Sequence, residues 1–322
     1  MITDVINNFS SQFAYEPDIH NSEHLPRSRA YIIAGMGGSA LAAELLRAKD
    51  IEREILVHRG YGLPKVNESV LKRSTLIAIS YSGNTEETLD AFTKAYAQGM
   101  SVAVIASGGK LIELAQEHGV PFIQMPNTGI QPRHANGFIL KALMKLMGDE
   151  AGLAETGALA ALLDPPRYEE EGKALAEKIN GKAPVIYASS ENSAIAYNWK
   201  IKFNESAKIP AFYNIFSELN HNEMTGFDVI DATKSLSERF HFIFLTDEHD
   251  HPRIAKRIEL TKQLYGKRGL AVETVKIEGE SAWHKIFASL TLADWAAYYC
   301  ALQYGTEPEQ VPMVEEFKKM ME

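Results

Sequence analysis

The chain has 322 residues, enough for two domains of ordinary size, and its 45% hydrophobic and 23% charged content is typical of a globular protein. A formal charge of −9, without any long Lys or Arg run, argues against a nucleic-acid groove, which needs a concentrated cationic surface. The single cysteine, Cys300, excludes a disulfide within the chain and lies in the apolar stretch WAAYYCALQYG, where a buried, inert thiol is expected.

The first residues, MITDVINNFSSQF, lack a basic region followed by an unbroken apolar one. No window of about twenty apolar residues occurs either, so a cytoplasmic protein with no membrane partner is expected. From residue 30 onward, strand-length apolar runs alternate with helical patterns. The run at 30–35 enters a glycine turn, GMGGS, which opens the helical stretch SALAAELLRAK. Further runs lie at 54–58, 74–80, 101–106 and 121–126. In NTEETLDAFTKAYAQG, Leu89, Phe92 and Tyr96 recur at helical spacing, with Asn84 placed as a cap and Gly99 as a stop. Such alternation, with near-continuous apolar strands, predicts a parallel sheet covered by helices on both faces. The apolar helix ANGFILKALMKLM closes a first domain over 1–150.

Residues 148–166, rich in Gly and small side chains and ending in a Pro pair, read as the junction. A polar helix at 167–180 follows. Strands are then predicted at 184–189, 210–216, 241–246 and 271–277, with helices at 192–207, 251–268 and 282–303. A last short helix is VPMVEEFKKMME. The second domain, 151–322, therefore repeats the plan of the first. The expected fold is α/β, with two parallel sheets, each flanked by helices in a flavodoxin-like three-layer sandwich.

In parallel α/β sheets, ligands sit beyond the carboxyl ends of the strands. Gly35, Gly37 and Ala40 fit G-x-G-x-x-A, the dinucleotide fingerprint. A dinucleotide site also wants an acid at the end of the second strand, where LVHRG offers His58 and Arg59 instead. The third strand ends in ISYSGNTEET, which supplies Ser80, Ser82 and Thr85, with Gly83 relieving the turn. Hydroxyls and N–H groups at two neighbouring helix N-termini make a compact cup for one phosphate monoester. Gly, Ser and Thr are also ordinary turn and cap residues. It is the occurrence of two such loops on one sheet that carries the phosphate reading. HNE at 221–223 and DEHDH at 247–251 supply no convincing zinc-ligand set. Ser39 lacks the G-x-S-x-G elbow of a hydrolase nucleophile.

GMGGSA together with SYSGNTEET resembles the sugar isomerase (SIS) domain, a five-stranded parallel sheet that binds phosphosugars. GIQPRHANGF, FNESAKIPAF, ELNHNEMTGF and EPEQVPMVEEFK, in order along nearly the whole chain, are similar to the bifunctional phosphoglucose/phosphomannose isomerase family. Members carry two SIS domains and usually form dimers. The resemblance implies an aldose–ketose isomerase converting glucose 6-phosphate, and mannose 6-phosphate as a second substrate, to fructose 6-phosphate through a cis-enediol. No redox cofactor and no metal is required for that hydrogen shift. By the same resemblance, Gly38, Ser39, Ser80, Ser82 and Thr85 hold the phosphate, and Glu205 is the base. His221 opens the ring, reaching the site from the partner subunit. Arg133 stabilises the enediolate, and Lys318, with Lys319 beside it, assists at ring opening or the hydroxyls. Read from the residues alone, Glu205 is equally an exposed helix charge, His221 a structural histidine, Arg133 a surface cap and Lys318 a solvated lysine. The chain has EPEQV where the family often has Asp-Pro-Thr-Pro-Val, ADW for Gly-Asp-Trp, and FNES where Asn-Glu-Asn is common. The first departure, close to Lys318, bears on sugar selectivity. The alternative function is a non-catalytic phosphosugar-binding SIS regulator.

Overall fold

The computed structural model describes residues 1–50 and 52–321. The chain divides into two compact units, one spanning Asn8–Leu162, the other Met1–Asn7 together with the chain from Leu163 on. The division falls inside the 148–166 stretch but beyond residue 150.

After a short opening helix, α1 (Ile2–Asn7), the unit spanning Asn8–Leu162 runs β1 (Ala30–Gly35), α2 (Gly38–Lys49), β2 (Glu54–His58), α3 (Glu68–Arg73), β3 (Thr75–Ser80) and α4 (Glu86–Ala97). It continues with β4 (Ser101–Ala106), α5 (Gly109–Glu117), β5 (Phe122–Gln124), α6 (Asn136–Leu146) and α7 (Glu150–Leu162). Its five strands are all parallel, in the order β2-β1-β3-β4-β5. The central strands AYIIAG and TLIAIS are buried along their whole length, as a sheet covered on both faces requires. On one face Ile32, Leu76, Val104 and Phe92 form a continuous core with Leu111 and Ala115 of α5. Helix α7 packs on α6 and on the 3-10 turn Phe9–Ala14, which keeps residues 150–162 in this unit. Asn84 does not cap α4. Thr85 takes that position, because the Asn84 Oδ1 accepts the Lys110 N–H at 2.9 Å across to α5. Gly99 ends the helix at φ +70°, as expected.

The second unit contains α8 (Glu169–Ile179), β6 (Ala183–Ser189), α9 (Ser193–Lys202), β7 (Phe212–Phe216), α10 (Glu223–Gly226) and α11 (Lys234–Ser237). It ends with β8 (Phe240–Thr246), α12 (Pro252–Lys267), β9 (Ala271–Lys276), α13 (Ala282–Gln303) and α14 (Pro312–Met321). Its parallel sheet has the order β7-β6-β8-β9, which is the first sheet's plan without the fifth strand. The long helix α13 is buried along most of its length and packs on α8 and α9. Ile2 and Ile6 of α1 lie against its Trp295, Tyr298 and Tyr299. The helix predicted over 192–207 divides into α9 and one π turn, Phe203–Ala207. Cys300 is buried, and desolvation pushes its thiol up to about 12. Among the described residues no helix is long and apolar enough to cross a membrane.

Candidate active site

Gly37 leaves β1 with φ +49° and lets α2 begin at once with Gly38 and Ser39. Gly38 has no room for a side chain. A Cβ there would lie 2.5 Å from the Arg133 nitrogen, so the first glycine turn rests directly on the turn Pro132–His134. Ser39 is buried, and its Oγ accepts the N–H of Tyr81, the first residue after β3, at 3.0 Å. The loop after β1 and the loop after β3 are therefore joined by a hydrogen bond.

Within the second loop, Ser80 is fully buried and acts from the inside. Its Oγ accepts from the Gly83 N–H at 3.0 Å and the Thr85 N–H at 3.4 Å, and lies 2.9 Å from the Thr85 hydroxyl. Ser82 is exposed, 3.5 Å from Ser80 oxygen to oxygen. Gly83, at φ +76°, hands its carbonyl to the Leu111 N–H. Gly38, Ser39, Ser80, Ser82 and Thr85 thus come together at the carboxyl edge of one sheet, on two turns joined by the Ser39–Tyr81 hydrogen bond. Arg133 is only 1% exposed, so it is not a surface cap. Gln12 holds its turn, donating to the His134 carbonyl at 2.6 Å and accepting from the Gly137 N–H at 3.0 Å. At the end of β2, Arg59 pairs with Glu44 of α2 at 2.7 Å, and His58 bonds the Gly62 carbonyl.

In the second unit, β6 and β8 take the places of β1 and β3, but the loops behind them differ in chemistry. Asp247, the first residue after β8, gives its N–H to Asp250 Oδ2 at 2.9 Å. Asn192, in the loop after β6, donates to Asp250 Oδ1 at 3.4 Å. Lys285 of α13 pairs with Asp247 at 3.2 Å and with Glu248 at 2.8 Å. The buried Asp250 carboxylate thus joins the loops after β6 and β8, as the Ser39 hydroxyl joins those after β1 and β3 in the first unit. Among the described residues no group of three or more His, Cys, Asp or Glu is arranged to hold a metal ion.

Glu205 is half-buried in the π turn Phe203–Ala207, a widened turn of the kind often found at functional sites. The turn is fixed from both ends. Lys202, just before it, pairs with Asp294 of α13 at 2.7 Å, both side chains nearly completely buried, and Trp199 Nε1 donates to Ser289 Oγ at 3.0 Å. Lys208 closes the turn in the left-handed region at φ +58°. The sequence reading missed the Lys202–Asp294 pair, although a charged residue within each apolar helix was its signal. His221 ends the 3-10 turn Glu218–His221 and is exposed. Lys318 is 63% exposed on α14, a helix without a buried residue, and pairs with Glu315 one turn back at 2.7 Å. The structure thus gathers the five phosphate-loop residues and the Arg133 turn in the unit Asn8–Leu162. Glu205, His221 and Lys318 belong to the other unit, with Lys318 held only by its own helix-mate among the contacts described.

Residues 168–321 match the family model of the bacterial phospho-glucose isomerase C-terminal SIS domain. The chain is 32% identical over 319 residues to the bifunctional phosphoglucose/phosphomannose isomerase of Aquifex aeolicus, covering 98% of this chain and 96% of that one. It is 36% identical over 196 residues to the D-glucosamine-6-phosphate 4-epimerase of Sulfolobus acidocaldarius, covering 59% and 61% of the two chains. In fold it is similar to the C-terminal domain of glucosamine-fructose-6-phosphate aminotransferase from Francisella tularensis, with a TM-score of 0.70 at 15% identity over 96% of each chain. It also resembles tagatose-6-phosphate ketose/aldose isomerase from Escherichia coli, with a TM-score of 0.62 at 15% identity, covering 95% and 88%. Near-complete coverage in both directions, together with joined hydroxyl turns on the first of two like-ordered sheets, places the chain in the bifunctional phosphoglucose/phosphomannose isomerase family.

Proposed function

We propose that this chain interconverts glucose 6-phosphate, and mannose 6-phosphate as a second substrate, with fructose 6-phosphate. The observation that supports the reading is the Ser39–Tyr81 hydrogen bond, which joins the two hydroxyl-bearing turns in a chain of this family. In this reading the phosphate lies against Gly38, Ser39, Ser82 and Thr85 at the N-termini of α2 and α4, where N–H groups and the helix dipoles favour an anion. Ser80 braces the turn behind them.

The sugar must first open. The His221 imidazole relays the anomeric O–H proton to the ring oxygen: the O–H electron pair forms the C1 carbonyl as the bond from C1 to the ring oxygen breaks, leaving an aldehyde at C1. The Glu205 carboxylate then takes the proton from C2. The C–H electron pair forms the C1–C2 double bond, and the carbonyl pair moves to O1, giving a cis-enediolate. The Arg133 guanidinium stabilises that charge. Transfer of the O2 proton to O1, with return of the proton from Glu205 to C1 as the double-bond pair takes it up, gives the ketose with its C2 carbonyl, so the reaction consumes no oxidant or reductant. Lys318 serves the sugar hydroxyls or ring opening. We read the working enzyme as a cytoplasmic homodimer in which His221 completes the partner's site.

A coupled assay on chelator-treated protein tests this, with glucose 6-phosphate, mannose 6-phosphate and D-glucosamine 6-phosphate as substrates. Turnover of the first two is expected. Glu205→Gln should lower kcat by about a hundredfold or more while phosphosugar affinity stays within severalfold, since only proton transfer is lost. Binding without turnover by folded wild-type protein would make the chain a sensor. Inversion at C4 of the amino sugar, in place of isomerisation, would move it to the epimerase class.

A further inference from the structure

His221 is exposed, yet the residues on both sides of it are tied down. Leu219, two positions earlier, is buried in the core of the second unit with Tyr187 and Phe216. Asn220 donates from Nδ2 to Thr261 Oγ1 at 2.8 Å and accepts from Arg257 Nη1 at 3.4 Å, both on α12. Asn222 caps the Glu223 N–H through Oδ1 at 2.6 Å. Glu223 then has both carboxylate oxygens engaged. The Tyr187 hydroxyl donates to Oε1, and Asn214 Nδ2 donates to Oε2. Tyr187 on β6 and Asn214 on β7 are register partners in the parallel ladder, so the carboxylate bridges two neighbouring strands from one face.

Such an arrangement is more than a loop needs in order to turn. A buried phenol and a half-buried carboxylate are costly unless each finds its partner, and here each does. Burial first, then the neighbouring Tyr265 and the Glu223 carboxylate, hold the Tyr187 proton far above neutrality, so the phenol is a donor throughout the working range. The backbone of residue 221 is thereby held between a tie to α12 on one side and a two-oxygen fork to the sheet on the other.

We propose that Glu223 is a positioning residue for His221, fixing the loop so that the imidazole meets the sugar's ring oxygen without a search. The proposal rests on the ring-opening role given above to His221. A shift of about 1 Å in a reacting group can cost about a hundredfold in rate.

The experiment compares His221→Ala, Glu223→Ala, Glu223→Gln and the double variant His221→Ala/Glu223→Ala, by steady-state kinetics and thermal melting of the full chain. Glu223→Ala should lower kcat by about tenfold to a hundredfold with KM within twofold. Glu223→Gln keeps one acceptor oxygen for two donors and should fall between wild type and Glu223→Ala. The double variant should be no slower than His221→Ala, because two residues acting through one imidazole are not additive. Asn220→Ala, which releases the other side of the loop, supplies a second arm if Glu223→Ala does not fold. Wild-type kcat in the Glu223 and Asn220 variants, or losses that multiply in the double variant, would overturn the proposal and leave His221 in its role. Wild-type activity in His221→Ala would remove that role and this proposal with it.

Discussion

Gly83 and Gly99 both sit in the left-handed region, at φ +76° and +70°, but only one of them is enclosed. A Cβ on Gly83 would lie 1.7 Å from the Gly108 carbonyl oxygen, whereas one on Gly99 meets open space. Gly99→Ala should therefore cost about 1 kcal/mol, the backbone strain alone, and leave phosphosugar affinity unchanged. Gly83→Ala must also push its turn away from the loop between β4 and α5 that carries Gly108. It should destabilise by clearly more than the Gly99 variant and weaken phosphosugar binding at least tenfold, read by urea unfolding and titration calorimetry. Equal stability losses in the two variants would contradict the enclosure of Gly83. The residues of this turn were legible in the sequence because turn chemistry is local: a left-handed glycine and flanking hydroxyls advertise themselves within five positions. Asn84 was misread as a helix cap because its partner, the Lys110 N–H, is remote in sequence. The burial of Arg133 was equally hidden, since it depends on Gly38 receiving the turn from a distant part of the chain.

Strands were readable almost to their ends, the central ones because a strand buried on both faces must be apolar throughout. Helices that owe their form to tertiary contacts were less so. The 192–207 pattern reads as one helix, and nothing local announces that it widens at Phe203. The pair that braces that turn joins Lys202 to Asp294 of another helix. At the other extreme stands α14. Its Met313, Phe317 and Met320 recur at helical spacing, yet all are exposed, and no residue of the helix is buried. A helix of this length gains little by itself in water. Deleting residues 312–322 should shift unfolding free energy by no more than about 0.5 kcal/mol, as for surface changes generally. The same deletion should reduce kcat through loss of Lys318 while phosphosugar affinity persists. A large drop in the urea midpoint would show that the helix is a structural part of the fold, and an unchanged kcat would remove Lys318 from the chemistry.

Across the whole chain, the repeat of the strand–helix plan was visible as a second round of alternation, but the unequal chemistry of the loops beyond the two sheets was not. In the second, the loop after β6 also carries hydroxyls, Ser189, Ser190 and Ser193, but beside it stands Asp250, which already takes the Asp247 N–H and the Asn192 amide. A phosphate entering there would meet fixed negative charge from Asp250, Asp247 and Glu248. One phosphosugar should therefore bind per chain. Calorimetric titration with hexose 6-phosphate measures this, and a stoichiometry of two would refute it. DEHDH could be weighed from sequence only as a loop or a metal ligand set, because its partners Asn192 and Lys285 come from separate helical regions. The assignment of Met1–Asn7 to the later unit has a practical outcome for anyone dissecting the protein. Severing the polypeptide between 162 and 163 yields no self-contained pair of fragments. The downstream piece would leave Trp295 and its neighbouring tyrosines without Ile2 and Ile6, and the upstream piece would carry those two isoleucines with nothing to cover. The backbone passes from one unit to the other twice, so a single scission liberates neither.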